Sequence, residues 1–193
     1  MTQVTAYTNE GRYKCLEDLP IDSAELSLGY CGWEQCYTGH RFGPNKRASY
    51  ALHIIANGKG KLEKNGEVFH LTTGDAFLLC PEEEAWYEAD KKEPWTYAWI
   101  GLYGYKVKKI MQYAGFSKEK SVRSLKCTAL LKSYVDEILE VHRLTTEEAM
   151  RRNGYLNLFL ATLIEDNEKF NTKTTPEHTY PGTVYVNHAM EYM

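Results

Sequence analysis

Trp95, Tyr97 and Trp99 alternate with Thr96 and Ala98 in one extended run, so three large rings fall on one face of a strand. Such rings are either ordinary core or the wall of a binding pocket. The chemistry a pocket of this kind supports is recognition of a saccharide, or of a non-sugar small molecule such as a bile salt, an aromatic acid or a peptide. A saccharide's flat C–H faces pack on aromatic rings, and its hydroxyls bond to Arg, His, Asn or carboxylates. Trp95, next to Pro94 at the start of the run, reads as packing or rim. His53 reads as an inward, hydrogen-bonded strand residue or as a ligand contact. Arg41 and Arg47 are either solvated loop charges or groups that reach a ligand. Glu82, Glu83 and Glu84 form a solvated turn, one of whose carboxylates could cap a sugar hydroxyl. An enzymatic alternative, sugar isomerisation or epimerisation without a metal, requires a general base, and His53 with a tyrosine is the plausible pair.

The elements that must position these groups are punctuated at strand spacing. Asn57-Gly58, Asn65-Gly66, Thr73-Gly74-Asp75 and Pro81 separate short alternating runs between Tyr50 and Gly104, the pattern of an all-β barrel or sandwich. Gly74 and Asp75 belong to turn chemistry rather than catalysis. Residues 1–25 are polar, an arm or a first strand leading into a barrel over 26–103. From 104 the period lengthens: Cys127, Leu130, Leu131, Tyr134, Val135, Ile138 and Leu139 make one helical stripe. Thr145 and Glu148 are spaced as a capping box, so a second helix of similar length starts there and the two form an antiparallel hairpin over 104–167. Its stripes cover the barrel, and part of its surface is expected to face a second copy of the chain. Residues 168–182 read as a linker, and 183–193 as the opening of a further amphipathic helix, so the chain is expected to end just inside another domain.

Composition narrows the function classes. A net charge of −3 argues against this segment being a nucleic-acid-binding surface by itself, because neutralising phosphates needs a basic face. The 15 Tyr and 4 Trp are enough to fill a core and still furnish a pocket. Five cysteines, odd in number and without a CxxC pair, indicate reduced thiols and a cytoplasmic setting. No apolar run approaches the roughly 20 residues that span a bilayer.

The segments Arg41–Arg47, Tyr50–His53, Gly58–Gly60, Gly74–Pro81, Tyr87–Asp90 and Pro94–Gly101, in this order and spacing, resemble the sensor domain of AraC-type (arabinose-regulator) bacterial transcription factors. Tyr185–Tyr192 resembles the start of that family's helix-turn-helix domain. The resemblance implies a mainly β, cupin-like (double-stranded β-helix) barrel followed by a C-terminal antiparallel helix pair. It also implies a small effector, which the aromatic pocket suggests is a saccharide, a homodimer through the helix pair, and DNA contact only through a C-terminal domain that this chain lacks. The positions matching Tyr87, Tyr97 and Trp99 line the family's effector pocket, with Trp99 as stacking platform, and an arginine before the second strand, Arg41 or Arg47, reaches the ligand. Tyr97 stands where the arabinose-responsive member has a histidine, which argues against arabinose itself. Metal-binding cupins carry ligands at positions that here hold Pro44, Lys46, Ala51 and Ala85 or Trp86, none of which coordinates a metal. His40 and His53 lack a carboxylate partner in the sequence pattern. No metal or cofactor is therefore expected.

Overall fold

The computed structural model of the protein describes residues 6–170 of the 193. Eight strands form two facing antiparallel sheets. One holds β3 (Ser27–Gln35), β5 (Tyr50–Asn57), β8 (Asp75–Leu79) and β10 (Thr96–Tyr103), the other β4 (Arg41–Asn45), β6 (Lys59–Lys64), β7 (Glu67–Thr72) and β9 (Ala85–Ala89). The neighbour orders β3-β10-β5-β8 and β4-β9-β6-β7 make the chain change sheet at every connection except the β6–β7 hairpin. This is the double-sheet jelly roll, or double-stranded β-helix, of the cupin type. Asn65 and Gly66, both at positive φ (54° and 77°), close the β6–β7 hairpin as a type I′ turn.

Three further strands and helices complete the first sheet and cover it. β1 (Ala6–Glu10) and β2 (Tyr13–Glu17) form a hairpin that docks on β3, and β11 (Val122–Ser124) pairs with β8, giving seven strands. The leading residues are thus integrated into the sheet from Ala6 onward. Period-two alternation splits this sheet into two buried faces. Leu52, Ile54, Ala76, Leu78, Ala98, Ile100 and Leu102 face the helices, while Ala51, His53, Ile55, Phe77, Leu79 and Tyr97 face the second sheet. Burial on both sides explains why Ala51–Ala56 reads as a nearly continuous apolar run.

Against the helix-facing side, α2 (Thr128–Glu140) lays Leu131, Val135, Ile138 and Leu139, all fully buried. Each such side chain contributes about 1.5–3 kcal/mol. Leu156, Phe159, Leu160 and Leu163 of α3 (Thr146–Phe170) pack on the same core. The helices are not of similar length, since α2 has 13 residues and α3 has 25. Nor does the expected capping box close. Glu148 reaches past Thr145 to accept bonds from the Arg143 backbone N–H (2.6 Å) and Nε (2.5 Å), tying down the inter-helix turn instead. A short helix, α1 (Val107–Tyr113), precedes β11 within the segment read as helical. Among the described residues no helix is long and apolar enough to cross a membrane. Residues 183–193, read as a further helix, lie outside the described residues.

Candidate functional site

Between the sheets, at one end of the barrel, lies a cavity of about 270 Å³. The inward alternation of β10 delivers Tyr97 and Trp99 to its wall, β9 delivers Tyr87, β5 delivers His53, and the β4–β5 connection delivers Arg47. Five of the six residues singled out in the sequence therefore line one space. Arg41 does not. Its neighbour Phe42 points inward, so Arg41 falls on the outer face of β4, exposed, with its guanidinium 3.9 Å above the Trp86 ring.

Trp99 is the open ring of the group. It is half-buried, and its indole rests on Gly32, where a Cβ would sit 2.5 Å from the ring. A glycine there leaves a flat shelf across β3 on which the indole lies. Trp95, by contrast, is fully buried over Gly60 and serves as packing. Tyr97 meets Tyr87 edge-on at 5.8 Å and Trp99 at 5.3 Å, a contiguous aromatic wall. Burial raises the pKa of both phenols, so each remains a neutral hydroxyl donor.

The cavity's polar groups come largely from residues the sequence did not single out. Glu34 accepts a hydrogen bond from Tyr97 Oη at 3.3 Å and pairs with His40 at 3.6 Å. The N-terminal hairpin adds Tyr13, 5.9 Å from Trp99, and Glu17. Arg47 lies within about 5 Å of the Tyr30 and Phe42 rings, held by cation–π contact at the rim. The alternation of β3 puts Tyr30, Gly32 and Glu34 on one face, the pattern that would have pointed to Glu34. Of the three consecutive glutamates, Glu83 is not solvated. It is buried against Lys64 at 2.8 Å, and none of the three lines the cavity.

His53 sits at the floor, stacked on Phe77 at 4.4 Å, with Nε2 3.4 Å from Tyr87 Oη. Burial, reinforced by the positive charge of Arg47, lowers its pKa from 6.5 to about 3. In the unfolded chain the ring takes up a proton near pH 6.5, whereas the folded chain refuses it. The stability that follows is fully present above pH 6.5 and is lost as pH falls from 6.5 toward 3. The slope approaches about 1.4 kcal/mol per pH unit, or about 2 kcal/mol by pH 5. Urea unfolding at pH 7 and pH 5 is expected to show this loss in the wild type and a correspondingly smaller one in His53→Gln. Equal losses in the two proteins would assign the effect to other groups.

The AraC-like ligand binding domain profile matches residues 27–153, from the start of β3 into α3. The chain belongs to this family. An Msm operon regulatory protein of Streptococcus mutans is 34% identical over 150 residues, 77% of this chain and 54% of that protein. A lactose operon transcription activator of Staphylococcus xylosus is 44% identical over 89 residues, 46% of this chain and 31% of that protein. A raffinose operon regulatory protein of Pediococcus pentosaceus is 37% identical over 94 residues, 48% of this chain and 33% of that protein. The chain spans about half or less of the length of these regulators. Among solved structures, KdgF from Halomonas sp. superposes with a TM-score of 0.35 and 15% identity, covering 50% of this chain and 84% of that one. An RmlC-like cupin from Shewanella frigidimarina gives 0.35 and 16%, covering 50% and 83%. As an AraC-like ligand binding domain related to operon regulators, the chain is a binding module rather than an enzyme. His53, the base an epimerase would need, is accordingly buried and weakly basic.

Proposed function

We propose that this AraC-like domain senses a saccharide and passes its occupancy to a DNA-binding domain joined after α3, so controlling carbohydrate-utilisation genes. The observation that carries the reading is the composition of the barrel cavity: an accessible indole shelf beside four phenols, two carboxylates and an arginine. That set matches the alternating apolar faces and hydroxyl edges of a sugar. A larger hollow of about 370 Å³ beneath α1, lined by Tyr50, Leu78, Met111 and Phe116 among others, lacks such a stack of rings.

The N-terminal hairpin supplies a path for the signal. Tyr13 and Glu17 look into the cavity, while on the same hairpin Lys14 pairs with Glu140 at 3.3 Å and Tyr7 stacks on His142 at 4.0 Å. A ligand that contacts Tyr13 and Glu17 thereby biases contacts at the end of α2 and the turn to α3, provided it binds the two arrangements unequally. Exposed Leu130, Met150 and Leu158 give α2 and α3 apolar surface for a homodimer contact.

A thermal-shift screen of mono- and oligosaccharides tests the reading. Galactosides come first, because the sugars in two of the relatives' names, lactose and raffinose, share a galactosyl unit. A rise in midpoint with at least one saccharide is expected, and sedimentation of the same samples is expected to show a dimer. A response confined to aromatic acids, bile salts or peptides would replace the saccharide, and a monomer at all concentrations would remove the helix-pair contact.

A further inference from the structure

His40 has the carboxylate partner that its sequence neighbourhood did not reveal. The Glu34 carboxylate, Cys36 Sγ and His40 ring nitrogen each present a ligand atom, and all three lie within 4.8 Å of one another at the edge of the cavity. The geometry points to a divalent-cation site of the zinc type, built as Glu-x-Cys-x3-His at the end of β3 and in the turn that follows.

Three features favour a built site over a chance cluster. First, the donor set suits a borderline-soft ion: one thiolate, one imidazole and one carboxylate are the ligand types of sites that leave a fourth position to water or substrate. Second, the spacing is close to what an ion requires. With bonds of about 2.0–2.3 Å, ligand atoms around a tetrahedral zinc stand about 3.3–3.6 Å apart. His40 Nε2 and Glu34 Oε1 are already 3.6 Å apart. Cys36 is fully buried, while His40 is partly exposed and can turn the remaining distance, so its side offers the entry path.

Third, the ligands are held from behind. Glu34 Oε2 accepts from Tyr97 Oη, leaving Oε1 toward His40, an outer-shell bond of the kind that orients a ligating carboxylate. The Cys36 backbone is pinned on both sides, its N–H donating to Trp95 O at 3.0 Å and its carbonyl accepting from Arg12 Nη2 at 2.9 Å. The His40 N–H donates to Tyr37 O at 3.0 Å, and its carbonyl accepts from the Ala89 N–H at 2.8 Å. Both Glu34 and His40 line the cavity, so an ion between them stands on its wall with the open position available from inside. These residues are unrelated to the ligand positions of metal-binding cupins, which here hold Pro44, Lys46 and Ala51.

The test uses the chain after chelator treatment, with Co²⁺ and then Zn²⁺ as probes and no saccharide present, so its outcome is independent of the effector. One equivalent of Co²⁺ is expected to bind with a thiolate-to-cobalt charge-transfer band that Zn²⁺ abolishes. Cys36→Ser is expected to lose that band. His40→Ala, at a partly exposed position that tolerates the change, is expected to weaken binding by at least about tenfold. Absence of the band in the wild type overturns the site whatever the variants do. A band that survives in Cys36→Ser also overturns it, since Cys80 or Cys127 would then be the ligand, and so does an unchanged cobalt affinity in His40→Ala.

Discussion

Trp99→Ala is expected to weaken binding of any saccharide found in the screen by at least about 30-fold, equivalent to about 2 kcal/mol, the loss typical of removing a central aromatic anchor. The fold should survive the change. Trp99 is the half-buried ring of the wall, and truncating it opens space that is continuous with the cavity and can fill with water. The stability cost is therefore expected near 1–2 kcal/mol, below the 3–5 kcal/mol of a sealed Trp→Ala void. Trp95→Ala is the matching control. That indole is fully buried between Gly60 and Phe77, so its loss is expected to lower the unfolding midpoint strongly. Trp99→Phe keeps a flat face on Gly32 and should retain part of the affinity. Isothermal titration of the three variants checks the pattern. Unchanged affinity in Trp99→Ala would move the effector out of this cavity.

Why Trp99 was visible in the sequence, and Glu34 was not, has a physical explanation. Alternation is a local property, and Trp95, Tyr97 and Trp99 lie in one run, so their common face follows from the strand period alone. The turn at Asn65-Gly66 was legible for the same reason: type I′ geometry demands those residues at adjacent positions. The cavity's polar half depends on pairings between distant segments. Tyr13 and Glu17 enter only because β2 adds to β3 with Tyr13 opposite Glu34. His40 meets Glu34 only because the Tyr37–His40 turn folds back. Arg41 opens β4 and Arg47 follows its end, and separating them needs the side on which Phe42 points. Glu83 reads as a solvated turn charge because its partner, Lys64, is far away in sequence, and only the fold closes the two into a buried pair. The unequal helices had a similar cause. The buried stripe of α2 ends at Leu139, beside the turn that Glu148 ties down, whereas α3 stays against the core as far as Asp166 before its exposed last turn.

Asp166→Ala is expected to be the most destabilising single change in the helical layer, costing about 3–5 kcal/mol in urea unfolding. Asp166 on α3 accepts from Arg123 Nη2 at 2.5 Å and from the Lys126 backbone N–H at 2.8 Å, and both charged side chains are almost fully buried. Arg123, on β11, also donates to Ala114 O at 2.5 Å, just beyond α1. One ion pair therefore joins the edge strand, the end of α1 and the long helix. Removing the carboxylate leaves a guanidinium that cannot lose its proton in a low-dielectric site, and the cost is chiefly that of its unpaired charge. It follows that the double variant Arg123→Met/Asp166→Leu should be more stable than Asp166→Ala alone, because it removes the charge together with its partner. A double variant as unstable as the single would show that the unpaired charge is not the main cost. That result would instead place the cost in the lost Ala114 and Lys126 backbone bonds, which no apolar replacement can restore.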